Sequence, residues 1–166
     1  GAAPPLFGWA AVSNSVEPGA LLLVLIIFAW TPPHFWALAL DRKAEYAKAN
    51  VPMLPVTHGD VYTRWHIFFY TLILLAVSLL PYLIAMSGLI YLASAAALGI
   101  GFLYWAVTLL RAKNPSAPIE TFRYSILYLG LLFAALLLDH YIPLGLPTAQ
   151  SGIDFEMING IPDTAA

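Results

Sequence analysis

Polar side chains are concentrated in one short stretch of this chain, directly after the apolar segment 19–40. Asp41 and Glu45 are four residues apart, so a local helix would place both carboxylates on one face. Two carboxylates at this spacing could bind a hard cation such as Mg²⁺, which prefers oxygen ligands and keeps water or substrate phosphate in its shell. The bases of the stretch, which could neutralise a diphosphate, are Arg42, Lys43 and Lys48. Together these groups suit the departure of a diphosphate; the alternative is a solvated loop with weak surface ion pairs.

A histidine and several aromatic side chains flank this stretch. His34 follows two prolines, and an ionisable side chain at membrane depth is a candidate for binding or catalysis. The alternative is a histidine hydrogen-bonded at the membrane interface. Tyr46 could line a site or anchor the interface. No two histidines of the sequence pair near the midplane of an apolar segment, which argues against an electron-transfer cytochrome with two axial ligands on facing helices.

The composition is that of a membrane protein. Hydrophobic residues make up 61% of the chain and charged residues 10%, whereas soluble domains have roughly 25% charged residues. Segments of about 20 apolar residues can cross a hydrocarbon core as helices, and the four that qualify are 19–40, 66–86, 88–110 and 121–141. None alternates as a barrel strand would. The sequence therefore predicts an all-α, polytopic transmembrane helix bundle.

The remaining segments are predicted from prolines, composition and charge. Residues 1–12 are interpreted as part of a further membrane helix, and residues 142–166 as a disordered tail. Pro32 and Pro33 predict a kink, and the prolines of 52–55 predict an extended path. The absence of cysteine excludes disulfides and thiolate metal sites. No basic stripe suggests nucleic acid.

The basic residues predict how the chain is oriented. All seven lysines and arginines lie in the loops 41–64 and 111–123. Four crossings place these two loops on one side of the membrane and the tail on the other. The positive-inside rule predicts that both loops are cytoplasmic.

Four segments of distinctive sequence carry a resemblance to a known family. They are Trp-Thr-Pro-Pro-His-Phe-Trp at 30–36, Val-Pro-Met-Leu-Pro at 51–55, Pro-Pro-Leu-Phe-Gly-Trp at 4–9 and Phe-Arg-Tyr-Ser-Ile-Leu at 122–127. In these segments the chain resembles the protoheme IX farnesyltransferase (heme O synthase) branch of the UbiA superfamily of intramembrane prenyltransferases. The resemblance covers residues 1–141, which it identifies as the C-terminal part of such a domain.

The resemblance implies a nine-helix bundle, of which this chain supplies part of the fifth helix and the sixth to ninth. It implies transfer of a farnesyl group from farnesyl diphosphate to a vinyl group of heme B, with addition of water, to form heme O. Mg²⁺ is the implied cofactor, because heme B is a substrate. The implied location is the bacterial inner membrane, with a terminal oxidase or heme A synthase as candidate protein partners. A first acidic motif would lie in an earlier part of the protein, so the chain alone is expected to be inactive.

The resemblance also implies roles for individual residues. Many superfamily members have Asp-x-x-x-Asp where this chain has Asp41 and Glu45. In the heme branch that the chain resembles, the acid before the tyrosine is the steadier of the two. Glu45 is therefore the stronger candidate for catalysis and for Mg²⁺ binding through the diphosphate, and Asp41 the weaker. The other implied catalytic residues are Lys43 and Tyr46, and the implied substrate-binding residues are His34, Arg42, Lys48, Phe35 and Trp36. His34 would orient or ligate the heme. The alternatives are a related enzyme acting on an aromatic quinone precursor and a non-enzymatic membrane helix bundle.

Overall fold

The computed structural model describes residues 1–142, and within this range the regular secondary structure is entirely helical. In chain order the helices are α1 (Pro4–Ser13), α2 (Pro18–Asp41), α3 (Lys43–Lys48), α4 (Leu54–Thr57), α5 (Asp60–Leu83), α6 (Leu89–Arg111) and α7 (Ala117–Tyr141). Helices α2, α5, α6 and α7 are each long and apolar enough to cross a membrane. The prediction of an all-α transmembrane bundle is confirmed, and the protein is an integral membrane protein.

The four long helices form a closed antiparallel ring in which α2 and α6 each pack against both α5 and α7. Gly19, at the start of α2, faces Met86 beyond the end of α5. Asp139, near the end of α7, accepts a hydrogen bond from the backbone N–H of Gly88 at the start of α6. The opposite end therefore combines the last turns of α2 and α6 with the first turns of α5 and α7. Together with α3 and α4, we call this the charged end.

The helices pack through small side chains at helical spacing. Along α6 the buried positions include Ala95, Gly99, Phe102 and Ala106, which follow the three- and four-residue steps of one helix face. A Cβ atom at Gly99 would overlap the side chain of Leu75 on α5. Small residues allow such close approach in lipid, where van der Waals packing is a main force that holds helices together.

Two clusters of buried hydrophobic residues fill the ring. The larger one, which joins all four long helices, consists of Ile26, Ala29, Leu74, Val77, Tyr91, Ala95, Phe102, Tyr128 and Leu132. The second lies toward the charged end and consists of Ala37, Ile67, Ala106, Leu109 and Ala117. The charged end thus lies next to a packed hydrophobic cluster that supports it.

One predicted helix boundary and the predicted extended path are wrong. Helix α5 begins at Asp60 rather than at residue 66, because Gly59 adopts a positive φ of 84° and an acidic residue then occupies the first turn. The path through 52–55 is not extended throughout: Pro55 lies in α4, near the start of a helix, where proline is tolerated. Helix α2 continues through Pro32 and Pro33, and the kink expected there stays a prediction. Apart from Ile142, the predicted tail lies outside the described residues.

Candidate active site

The two carboxylates predicted to share a helix face belong to different helices. Asp41 is the last residue of α2 and Glu45 lies in α3, and Arg42 between them has a backbone (φ −101°, ψ 24°) that interrupts the helix. The premise of a single continuous helix is therefore wrong, although both side chains remain exposed at the charged end. Arg42 Nη1 lies 3.5 Å from Glu45 Oε2, and the Glu45 side chain is 71% exposed. Such a pair contributes little to stability. Because the Glu45 side chain is exposed and only weakly paired, its carboxylate is accessible to a ligand.

Lys43 forms a closer ion pair across the charged end. Its Nζ lies 2.6 Å from Oδ1 of Asp60, the first residue of α5. Asp60 was not among the predicted site residues, although its position after a glycine and before an apolar segment is a typical signal for the start of a helix. The pair places the ammonium group of Lys43 at the first turn of α5.

Tyr46 and Lys48 complete the charged end. The carbonyl of Tyr46 accepts a hydrogen bond from the N–H of Val51 at 3.0 Å, which turns the chain back after α3. The Tyr46 side chain is half-buried, whereas Lys48 is exposed. Within residues 1–142, the Tyr46 hydroxyl and the Lys48 ammonium make no hydrogen bond or ion pair with protein side chains.

His34 lies deeper in the bundle and contacts α7. Its ring stacks between Trp30, with centroids 4.1 Å apart, and Phe122, with centroids 4.8 Å apart. Nδ1 of His34 lies 2.7 Å from Oγ of Ser125. The indole Nε1 of Trp30 donates a hydrogen bond of 2.8 Å to the backbone carbonyl of Ser125. These contacts join α2 and α7 and hold the imidazole in one orientation.

An open apolar groove of about 520 Å³ runs between α2 and α7 beside this histidine. We call it the His34 groove, and it is lined by Ile27, Trp30, His34, Phe122, Ile126, Leu129, Gly130 and Phe133. The residues from α2 and from α7 each recur at helical spacing, so each helix presents one continuous stripe to the groove. His34 precedes Asp41 by two turns, so it lies about 10 Å along the helix axis from the charged end.

The structure separates the two aromatic residues that follow His34. Phe35 is exposed, and its ring meets the His34 ring edge-on with centroids 5.1 Å apart. Trp36 turns toward α5 and packs edge-on against Tyr70, with centroids 5.4 Å apart. Trp36 is therefore not part of the His34 groove. Ser125 and Phe122, which contact His34, were not predicted as site residues because they lie on a distant helix.

The chemistry of the charged end suits a hard cation bound together with a diphosphate. Its carboxylates, Asp41 and Glu45, are exposed oxygen donors beside several bases. Within residues 1–142 no cluster of three or more acidic, histidine or cysteine side chains could hold a metal ion. Mg²⁺ often takes only one or two protein carboxylates and completes its shell with water and phosphate oxygens. These residues therefore fit such a role but do not form a closed metal site.

Comparison with known proteins shows the class to which this fold and site belong. Residues 1–137 match the model of the UbiA prenyltransferase family. The chain belongs to this family of membrane prenyltransferases.

Individual relatives are more specific. The chain is 68% identical over 146 residues to "Protoheme IX farnesyltransferase 1" of Pseudomonas putida, an alignment that covers 88% of this chain and 49% of the relative. It is 65% identical, with the same coverage, to proteins named "Protoheme IX farnesyltransferase" from Hahella chejuensis and Azotobacter vinelandii. The chain thus spans about half the length of these relatives. No solved structure matches it.

Proposed function

We propose that this chain is part of a protoheme IX farnesyltransferase, which transfers the farnesyl group of farnesyl diphosphate to a vinyl group of heme B and forms heme O. The observation that carries the proposal is the identity of 65–68% to proteins of that name over 88% of the chain. The geometry agrees with it, since His34, which lines the apolar groove, lies about 10 Å along α2 from Asp41 at the charged end.

The charged end would bind and release the diphosphate. Three bases follow α2 directly, in or next to α3, and would neutralise the negative charge that develops on the leaving group. They are Arg42, Lys43 and Lys48. Glu45, and more weakly Asp41, would hold Mg²⁺ through the diphosphate. The bound ion would supply electrostatic stabilisation of the departing diphosphate.

The proposed reaction proceeds through carbocations. The bond between C1 of the farnesyl group and the diphosphate oxygen breaks, and its electron pair leaves with the diphosphate. The vinyl group then forms a carbon–carbon bond to C1, which leaves a cation on the carbon next to the porphyrin ring. Water adds to that carbon and loses a proton to give the hydroxyl group. Phe35 and Tyr46, near the charged end, would shield the farnesyl cation from premature attack by water.

The proposed substrate-binding residues lie at two depths. His34 and its groove would bind heme B, whereas Trp36, which packs on Tyr70, would act indirectly by supporting α2 against α5. The charged loops at 41–64 and 111–123 would lie on the cytoplasmic side of a bacterial inner membrane, with the tail on the opposite side. Such an enzyme would deliver heme O to a terminal oxidase or to heme A synthase.

A chimera tests the proposal directly. The chain would be joined to the part of the Pseudomonas putida relative that the alignment leaves uncovered and expressed in a bacterium without its own heme O synthase. Extracted hemes would be separated by chromatography, and their masses would be determined by mass spectrometry. We expect a species heavier than heme B by one farnesyl group and one water.

Heme B alone, from a chimera that inserts normally, would overturn the heme assignment. The same membranes would then be assayed with farnesyl diphosphate and aromatic quinone precursors. A prenylated ring would indicate the related activity, and no product with any acceptor would favour a non-enzymatic bundle.

A further inference from the structure

The hydrogen bonds around Ser125 determine which nitrogen of His34 carries the proton. Ser125 Oγ lies 2.6 Å from the backbone carbonyl of Phe122 and 2.7 Å from Nδ1 of His34. A carbonyl only accepts, so the single hydroxyl hydrogen of Ser125 is donated to Phe122. The contact with His34 then requires that Nδ1 carries a hydrogen and donates it to the serine oxygen. In neutral His34 this leaves a lone pair on Nε2.

The orientation of the imidazole is fixed by contacts on both faces and on one edge. Trp30 and Phe122 cover the two faces of the ring, with interplanar angles of 21° and 28°. Ser125 occupies the Nδ1 edge, and the same residue is held through its carbonyl by the indole of Trp30. The rest of the ring edge carries Nε2, and Phe35 also meets the ring, with centroids 5.1 Å apart.

Nε2 is the accessible nitrogen of this ring. Within residues 1–142, Nε2 has no hydrogen-bond partner. The buried polar atoms without a partner do not include it, so Nε2 is not buried. His34 lines the open groove. On the facing stripe of α7, a Cβ atom added to Gly130 would meet nothing within 4 Å, so a flat ligand can approach that helix closely.

We infer that Ser125 is a positioning residue: it fixes the tautomer of His34 that presents the Nε2 lone pair to heme B. The inference rests on the proposed function, in which His34 binds the heme. Heme iron accepts an imidazole nitrogen as an axial ligand. A hydrogen bond from the other ring nitrogen fixes the tautomer and raises the basicity of the ligand. The apolar, aromatic groove around Nε2 suits the macrocycle, and the iron would fix the vinyl group relative to the charged end.

The test is spectroscopic and uses the chimera purified in detergent and titrated with ferric heme B. Absorbance and electron paramagnetic resonance spectra report whether an imidazole nitrogen binds the iron. We expect that His34→Ala removes this signature and weakens heme binding at least about tenfold. Added imidazole should restore the signature. His34→Gln, which keeps the size of the side chain, replaces His34→Ala if that variant does not fold.

Ser125→Ala should keep the imidazole but lower heme affinity by about tenfold or more, because either tautomer can then form. Ser94→Ala is the matched control, since Ser94 Oγ bonds to its own helix at the carbonyl of Ile90, 2.8 Å away, outside the His34 groove. Equal losses in Ser125→Ala and Ser94→Ala would overturn the role of Ser125.

Two readouts separate this inference from the proposed function. If His34→Ala and His34→Gln keep the spectrum of the parent while heme O still forms, the axial ligand is wrong and the function stands. If His34 ligates the iron but no heme O forms in the parent chimera, the proposed function is wrong and the binding site stands.

Discussion

Lys43 Nζ lies 2.6 Å from Asp60 Oδ1, and this ion pair joins α3 to the first turn of α5. The two side chains are 40% and 42% exposed, so the pair contributes at most about 1 kcal/mol to stability. Its significance lies in its position, because it holds an ammonium group where a diphosphate at the charged end could compete with Asp60. The ammonium group of Lys43 is therefore available to a ligand at little energetic cost.

Lys43→Met should therefore impair catalysis more than stability. A charge-assisted hydrogen bond to the diphosphate is worth about 1.5–3 kcal/mol, so kcat/KM for farnesyl diphosphate should fall roughly ten- to hundredfold. Asp60→Asn keeps the ammonium and removes its competitor, so it should leave kcat/KM unchanged or raise it. Lys113→Met, in the other basic loop, is the control. Similar losses in Lys43→Met and Lys113→Met would contradict a specific contact.

Glu45→Gln should abolish heme O formation while the protein still inserts into the membrane, because the amide keeps the shape of the side chain but cannot serve as an anionic ligand. Asp41→Asn should cause a smaller loss. Glu120→Gln is a matched control: Glu120 pairs with Arg123 at 3.3 Å and three residues' separation, as Glu45 pairs with Arg42 at 3.5 Å, and it also lies near the charged end. Extracted hemes are quantified by chromatography. Unchanged heme O in Glu45→Gln would refute its role.

The sequence was sufficient for the long helices and the charged stretch, because both are local signals. A helix that crosses a membrane must contain about 20 apolar residues in succession. The start of α2 at Pro18 lies one residue from the predicted bound, and the end of α7 at Tyr141 coincides with it. The start of α5 was missed because residues 60–65 are polar enough to be read as loop. Its true start depends on the backbone of Gly59 and on packing of Thr63, which is buried.

Contacts between distant helices could not be predicted. His34 was identified as a candidate, but its partner Ser125 lies 91 residues away. Asp139 on α7 is a second example. It is buried and accepts hydrogen bonds from the backbone N–H groups of Gly88 and Tyr91, so it caps the start of α6. Such pairings follow from which helices become neighbours, which hydropathy does not encode.

The close approach of α6 and α7 at Gly101 leads to a stability prediction. A Cβ atom at this position would collide with the hydroxyl of Tyr124, which is held by a hydrogen bond of 2.9 Å to the carbonyl of Leu98. Gly101→Ala should destabilise the bundle by about 1–3 kcal/mol through overpacking and lower Tm in detergent. Gly130→Ala, on α7 with nothing within 4 Å, should leave Tm unchanged or raise it. Equal Tm values for Gly101→Ala and the parent would contradict tight packing of α6 against α7 at this position.

The orientation of the bundle can be tested with single cysteines, because the chain has none of its own. Ala47 on α3 and Ser15, between α1 and α2, are both exposed and lie at opposite ends of α2. The basic loops are expected on the cytoplasmic side, so a membrane-impermeant maleimide should label Ser15→Cys in spheroplasts and Ala47→Cys only after the membrane is opened. Any cysteine in the joined half is first replaced, and continued heme O formation confirms a native fold. Labelling of Ala47→Cys in closed spheroplasts, with Ser15→Cys protected, would reverse the proposed orientation and place the diphosphate site on the outer side.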